Sequence, residues 1–249
     1  MRRASLACMF VPMATLLQLD EVLTRLLGSK LQGFEVHAYL LGAMTTANIR
    51  LYPERIFSRF SEEGVAMGRS SNELMELFQI TAAYWNHLLK QGRAGRVQFA
   101  PLELREGANI DELRLYTKRR QADLTWYFHG FDSTRCQPNE YRPDGELLLR
   151  RIKECQASLE TIMERLGVDT NASSLCDIRL RVLEFSTSIE RIVADLVAVS
   201  EAVRGETRAK SAAQTWQSVR PKRVRPNEPC PCGRGRKWKK CCGRAEPMN

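Results

Sequence analysis

The chain has 249 residues, 43% hydrophobic and 27% charged, a balance that excludes a wholly disordered polymer and allows one sizeable core with an appendage. It contains no apolar run of about eighteen residues, the minimum for a membrane-crossing helix. The formal charge of +9 is unevenly placed: residues 204–249 carry thirteen Lys/Arg against three Asp/Glu, and the remaining 203 residues carry 25 against 26. A neutral body with a basic tail points to an anionic partner such as RNA, ribosome, acidic protein or anionic lipid, rather than to catalysis.

Met1-Arg2-Arg3 and the apolar residues after it imitate an export signal. Pro12 interrupts the run and no small-residue cleavage site precedes Asp20-Glu21, so residues 1–12 read as a loose extension and the folded part starts near Met13. From Met13 to Leu27 the leucines recur at helical spacing and Gly28 stops the helix. Gly33 to Ala47 is a second helix whose small residues Ala38, Gly42 and Ala43 allow close approach of another helix axis, so it is expected to be central. Ser70 and Glu73 form a capping-box pair ahead of a stripe of Leu74, Leu77, Phe78, Thr81, Trp85 and Leu88. Gln91 to Asn109 reads as a loop with an extended piece at Val97-Gln98-Phe99.

Asp111 to Phe131 is helical again, with Leu113, Leu115, Leu124, Trp126 and Phe128 as its apolar side chains. A turn-rich stretch leads to Asp144, read as the N-cap of a helix over 147–166 that Gly167 ends. The longest helix is expected from Ser174 to Arg204, stopped by Gly205, and the short connection before it makes residues 144–204 an antiparallel helical hairpin. Alternating strand patterns are absent. The fold class is therefore all-α: a helical bundle over 13–204, a flexible basic linker over 205–225 and a small zinc knuckle over 226–245. Trp216, alone in the linker, reads as a partly solvated aromatic, with a partner anchor as its functional reading.

The strongest chemical signal is in the tail. Of eight cysteines, four lie within thirteen residues: Cys230, Cys232, Cys241 and Cys242. Four thiolates suit a soft, tetrahedral zinc ion, with iron as a competitor for the same ligands. The loop between Cys232 and Cys241 is long enough to return the chain to one ion, and Gly233 and Gly235 allow a tight turn. Zinc with four thiolates carries a net −2, which Arg234, Arg236, Lys237, Lys239 and Lys240 are placed to compensate. All four ligand positions are filled by protein, which favours a structural over a catalytic site. The clustering also fits a reducing, cytoplasmic setting rather than a secreted disulfide scaffold.

The run Asn227-Glu228-Pro229-Cys230-Pro231-Cys232-Gly233-Arg234-Gly235-Arg236-Lys237-Trp238-Lys239-Lys240-Cys241-Cys242-Gly243 resembles the SEC-C motif, the zinc-binding module at the C-terminus of the SecA translocation ATPase. Arg234 replaces the usual serine, Trp238 fills the aromatic position, and Cys242 stands where histidine is frequent. The resemblance implies docking to a chaperone such as SecB, to ribosomes or to acidic lipid, through Arg234, Arg236, Lys237, Trp238, Lys239 and Lys240. It does not carry over an ATPase, because the chain has no phosphate-binding Gly-x-x-x-x-Gly-Lys loop. In the body, the helix Glu35-Val36-His37-Ala38-Tyr39-Leu40-Leu41-Gly42-Ala43-Met44 and the later stretches Phe99-Ala100-Pro101-Leu102 and Ala122 to Phe131, with Trp126 before Gly130-Phe131, are similar to the YecA/YgfB-like family. Ala38 departs from that pattern where glycine is usual. That resemblance implies an all-helical protein without enzymatic activity.

Other candidates weigh less. His37, His87 and His129, the three histidines, sit among apolar helical residues and read as hydrogen-bonded core or surface groups rather than ligands. Glu62-Glu63 reads as a solvated pair. Cys8, Cys136, Cys155 and Cys176 read as buried or incidental thiols. No hydrolase, zincin or dinucleotide motif is present, so no small-molecule substrate is expected. Two readings remain: a non-enzymatic zinc-binding adaptor for a protein partner, and a binder of ribosomal RNA through the basic tail.

Overall fold

A computed structural model describes residues 14–28, 31–47, 70–134, 136, 140–141, 143–167, 172–219, 227–229 and 235–241, with side chains on the last long helix described over 174–210. The fold is all-α. Its helices are α1 (Leu16–Leu27), α2 (Gly33–Met44), α3 (Ser71–Arg93), α4 (Ile110–Ser133), α5 (Pro143–Gly167) and α6 (Ala172–Val219). Among the described residues, no helix is long and apolar enough to cross a membrane. The chain divides into two compact units, Met1–Arg204 and Gly205–Asn249.

Helix starts are set by local hydrogen bonds that satisfy otherwise unpaired N–H groups. At α1, Thr15 Oγ1 accepts from the Gln18 N–H while the Gln18 side chain accepts from the Thr15 N–H. Ser70 and Glu73 make the same reciprocal pair at α3. At α4, Asn109 Oδ1 accepts from the Asp111 and Glu112 N–H groups. Gly28 closes α1 in the left-handed region, with φ of 66°. At α5, Pro143 rather than Asp144 marks the beginning: its fixed φ and missing N–H suit a first helical position, and Asp144 falls inside the first turn.

Helix α2 is the centre of the body, with every residue from Val36 to Met44 buried. It lies directly on α4 through two glycines. A Cβ on Gly42 would fall 1.8 Å from the Tyr127 carbonyl oxygen, and one on Gly130 would fall 1.8 Å from that of Tyr39. Nothing larger than hydrogen fits at either position.

Where α2 ends, three other segments meet it. The Thr45 carbonyl accepts from Tyr141 Oη at 2.8 Å and Ser200 Oγ at 2.5 Å, and Thr45 Oγ1 pairs with Tyr127 Oη. Arg204, 7% exposed, donates to the carbonyls of Met44 and Thr46 at 3.0 and 2.6 Å and pairs with Glu201. A guanidinium at the carbonyl end of a helix complements its dipole. Farther along, Arg120 of α4 bridges Asp123 and Glu190 of α6, each at 3.1 Å. With Arg114 of α4 donating to the Leu166 carbonyl at the end of α5, these contacts fix directions: α6 runs parallel to α4 and α5 antiparallel to both. The helices over 143–167 and 172–204 thus run in opposite directions, and their apolar faces join the same core as α1–α4.

Four sequence expectations need correction. Gly205 does not end the last helix: α6 continues to Val219, so residues 205–219 of the expected linker are helical and 220–226 lie outside the described residues. The three prolines of that stretch, Pro221, Pro226 and Pro229, all follow Val219, and the segment before them is rich in residues whose helix propensity outweighs one glycine. Helix α3 keeps its cap and buries Leu77, Thr81 and Leu88 of the expected stripe, but its inward face is shifted to take in Ala83 and Tyr84, while Leu74 and Phe78 are exposed. The α3 helix also runs through Gln91–Arg93, shortening the expected loop. On α4, Leu115 is 70% exposed, and Tyr116, Thr117, Arg120 and Asp123 occupy the inward face.

Candidate metal centre

In the described part of the C-terminal unit's cysteine-bearing segment the chain is shaped by backbone turns. Pro229 and Lys237 pair as an isolated antiparallel bridge. The residue just before Cys230 is thereby brought beside one four positions before Cys241. Proline contributes no N–H to such a pair and is tolerated in a bridge of this kind. Gly235 takes φ of 66°, a left-handed conformation open to glycine at no steric cost. A 3-10 turn over Trp238–Lys240 follows, with the Lys240 N–H donating to the Lys237 carbonyl at 2.8 Å. This turn delivers Cys241, which is half-buried.

Of the four expected ligands, Cys241 lies among the described residues; Cys230, Cys232 and Cys242 lie outside them, as does Arg234. Arg236, Lys237, Lys239 and Lys240 are all exposed. For Trp238 the backbone position in the 3-10 turn is described and the side chain is not. Among the described residues, the doubled-back backbone and the left-handed Gly235 place one half-buried thiol, Cys241, on the turn; a thiolate is a soft ligand of the kind zinc takes. No cluster of three or more metal-ligating side chains occurs among the described residues.

Residues 227–244 match the SEC-C motif. Protein translocase subunit SecA of Pelotomaculum thermopropionicum is 70% identical over 29 residues, 12% of this chain and 3% of the relative. SecA of Lachnoclostridium phytofermentans is 49% identical over 41 residues, 16% of this chain and 5% of the relative. SecA of Syntrophobacter fumaroxidans is 50% identical over 36 residues, 14% and 4% of the two chains. The similarity is thus confined to a segment that spans 3–5% of the length of these curated relatives. No solved structure matches the chain.

Outside the SEC-C segment, the histidines take the structural roles expected of them. His37 is buried, its Nε2 donating to the Gln98 carbonyl at 2.9 Å and its Nδ1 accepting from the Tyr84 hydroxyl. A carbonyl can only accept, so this arrangement fixes the neutral tautomer. Burial pushes the imidazole down to about 4, assisted by the His87 and Arg119 charges and opposed by the Gln98 hydrogen bond. His87 stacks on Tyr84, and His129 lies 5.6 Å from the Trp126 ring. Cys136 and Cys155 are buried, and burial raises both thiols; Cys176 is exposed. Cys8 and Glu62-Glu63 lie outside the described residues. The sequence reading missed Asp123, 1% exposed between Arg119 and Arg120. Burial lifts its carboxyl to about 6 against the downward pull of Arg120 and Arg119. A charged run on a helix looks solvated until the partner across the core is known.

Proposed function

We propose that this chain is a non-enzymatic, cytoplasmic zinc-binding adaptor whose SEC-C segment docks a protein partner of the secretion, chaperone or ribosome machinery. Cys230, Cys232, Cys241 and Cys242 hold the ion, which supplies folding energy on the order of 10 kcal/mol to a segment with no core of its own. The observation that carries this reading is the SEC-C match over 227–244 on a backbone that folds back through Pro229 and Lys237. Around that fold Arg236, Lys237, Lys239 and Lys240 stand exposed. Metal-ordered cations on one small surface lose less entropy on binding than a free polycation does.

The body is read as a YecA/YgfB-like helical domain. Two of the stretches that suggested it pack on each other: Trp126 Nε1 donates to Glu35 Oε1 at 3.1 Å, and Gly42 and Gly130 interlock the helices. The exposed basic residues also support the second reading, electrostatic binding of ribosomal RNA. Purified SecB, intact ribosomes and protein-free ribosomal RNA serve as probes, each at two salt concentrations. The adaptor reading expects SecB or ribosome binding that Cys241→Ser with Cys242→Ser abolishes at physiological salt, although every cation is retained. Binding of the RNA alone, unimpaired in that variant and lost steeply with salt, would establish the polycation instead.

A further inference from the structure

Two surface depressions of the body, lined by described residues, differ in chemistry. The groove between α4 and α5 carries three acidic residues, Asp132, Glu146 and Glu160, and two basic ones, Arg150 and Lys153, a mixed rim without an excess of cations. The second is a cleft of about 580 Å³ between the start of α1, the last turns of α3 and the extended segment 95–101. Its wall includes His87, Gln91 and Arg96, and no acidic residue lines it among the described residues.

The cleft is held open from beneath. His37, itself buried, ties the Gln98 carbonyl of the extended segment to Tyr84 of α3 through its two ring nitrogens. Val97 and Phe99 on either side of Gln98 are buried, which fixes the segment's pleat. At the end of α3 the Arg96 N–H closes the helix by donating to the Gln91 carbonyl at 2.9 Å, around Gly95 at φ of 66°. Both walls are thus set by protein contacts before anything enters, a preformed arrangement that lowers the cost of binding. The donors along them, the His87 imidazole, the Gln91 amide and the Arg96 guanidinium, have no ion-pair partner among the described residues. Leu16, Val97 and Pro101 supply an apolar side.

From this constellation we infer that the cleft is a binding site for a small organic oxyanion, a carboxylate or phosphate ester on a compact apolar body. Arg96 and His87 contact the charged group, Gln91 orients it, and Leu16, Val97 and Pro101 cover the apolar part. The site is independent of the SEC-C segment and of the adaptor reading.

The three histidines give a direct readout, because the imidazole C–H region of an NMR spectrum of the full chain contains three ring systems, which single-histidine variants assign. Benzoate and phenyl phosphate are titrated in, with neutral benzamide as control. The expected result is a saturable shift of the His87 signals with benzoate, phenyl phosphate or both, and none with benzamide. Arg96→Ala should weaken binding at least about tenfold, the scale of one charged hydrogen bond, with the His37 signals unmoved as the sign of an intact cleft. Arg96→Lys should recover part of the loss. Which anion saturates at lower concentration distinguishes carboxylate from phosphate. The basic tail also attracts anions, but it is intact in Arg96→Ala. A His87 response that fails to saturate, that benzamide reproduces, or that persists at full strength in Arg96→Ala would overturn the site.

Discussion

In the body, every helix start described above is closed by a side-chain cap or a proline. The tightest crossing is closed by two glycines, and the end of α2 by Tyr141, Ser200 and Arg204. In the SEC-C segment, the described backbone has one bridge, one left-handed glycine and one 3-10 turn. There, the described side chains other than that of Cys241 are exposed. One region is determined by the mutual fit of its own atoms; the other shows, among its described residues, turns and exposed side chains, and under the proposed function an ion selects among the conformations those turns permit. The two should therefore fail separately, under different insults.

The largest separation should come from removing the metal. A chelator, or Cys241→Ser with Cys242→Ser, withdraws folding energy on the order of 10 kcal/mol from the SEC-C segment and touches no contact described in the body. Elemental analysis should fall from one zinc per chain to none. Helical circular dichroism and the body's melting temperature should stay within a degree or so, since about 1 kcal/mol corresponds to a few degrees in a domain of this size. A joint collapse would break the comparison.

The converse insult is Gly42→Ala. The new methyl would sit 1.8 Å from the Tyr127 carbonyl oxygen, a backbone atom that cannot swing aside, so α2 and α4 must separate and with them the centre of the core. The cost should be about 4 kcal/mol or more, seen as loss of the cooperative thermal transition. Zinc stoichiometry should remain at one per chain, because all four cysteines lie outside the damaged region.

These two regions also differ in how they can be read from sequence. The SEC-C segment is legible because a motif restricts residue type and spacing together: four cysteines at fixed offsets and a glycine, Gly235, where the chain turns. Small residues on α2 were informative for the same reason, since close approach permits few alternatives. What stayed hidden depended on partners distant in sequence. The inward face of α4 carries Arg120 and Asp123 because Glu190 waits 70 residues later, and no periodicity rule places a buried charge on the core side. The edge of α3's inward face was misplaced, though Leu77, Thr81 and Leu88 are buried as expected, because Leu74 and Phe78 are as apolar as the Ala83 and Tyr84 that are buried instead. At Gly205 a local rule was trusted over the propensity of the residues following it.

A pH comparison within the body tests its buried charges. His37 is shifted from 6.5 down to about 4, so its neutral form stabilises the fold fully above pH 6.5 and that contribution is lost as pH falls toward 4. Asp123 is shifted from 3.8 up to about 6, so its ionised form costs stability above pH 6, a cost relieved as pH falls toward 4. Each is worth about 3 kcal/mol at 1.36 kcal/mol per unit, with opposite sign over the shared window. Relative to the unmodified chain, Asp123→Asn should lose stability on acidification from pH 6 to 4, and His37→Gln should gain it. Urea melts of the three proteins at pH 4, 5, 6 and 7 measure this directly. Parallel curves would mean that neither group titrates across that range.

The smallest effect tests where the two units join along the sequence. Gly205 is helical within α6, is exposed, and has no atom within 4 Å of the position a Cβ would take. Alanine there removes no contact and creates no clash; it reduces only the backbone entropy lost on helix formation, by about 0.5–1 kcal/mol. The gain is directional. Upstream, Ser200 and Arg204 already hold the helix to the end of α2, so residues before 205 have little to gain. Downstream, 206–219 propagate from that anchored turn and must pass through Gly205, so every hydrogen bond beyond it is closed more of the time when propagation at 205 becomes easier. Gly205→Ala should therefore slow amide hydrogen exchange several-fold across 206–219, leaving exchange in 178–200 and the body's melting temperature unchanged. Gly205→Pro, which removes a helical hydrogen bond and clashes with the preceding turn, should speed exchange over the same stretch. If neither substitution alters exchange there, residues 206–219 are not held as a continuation of α6, and the linker boundary returns to Arg204.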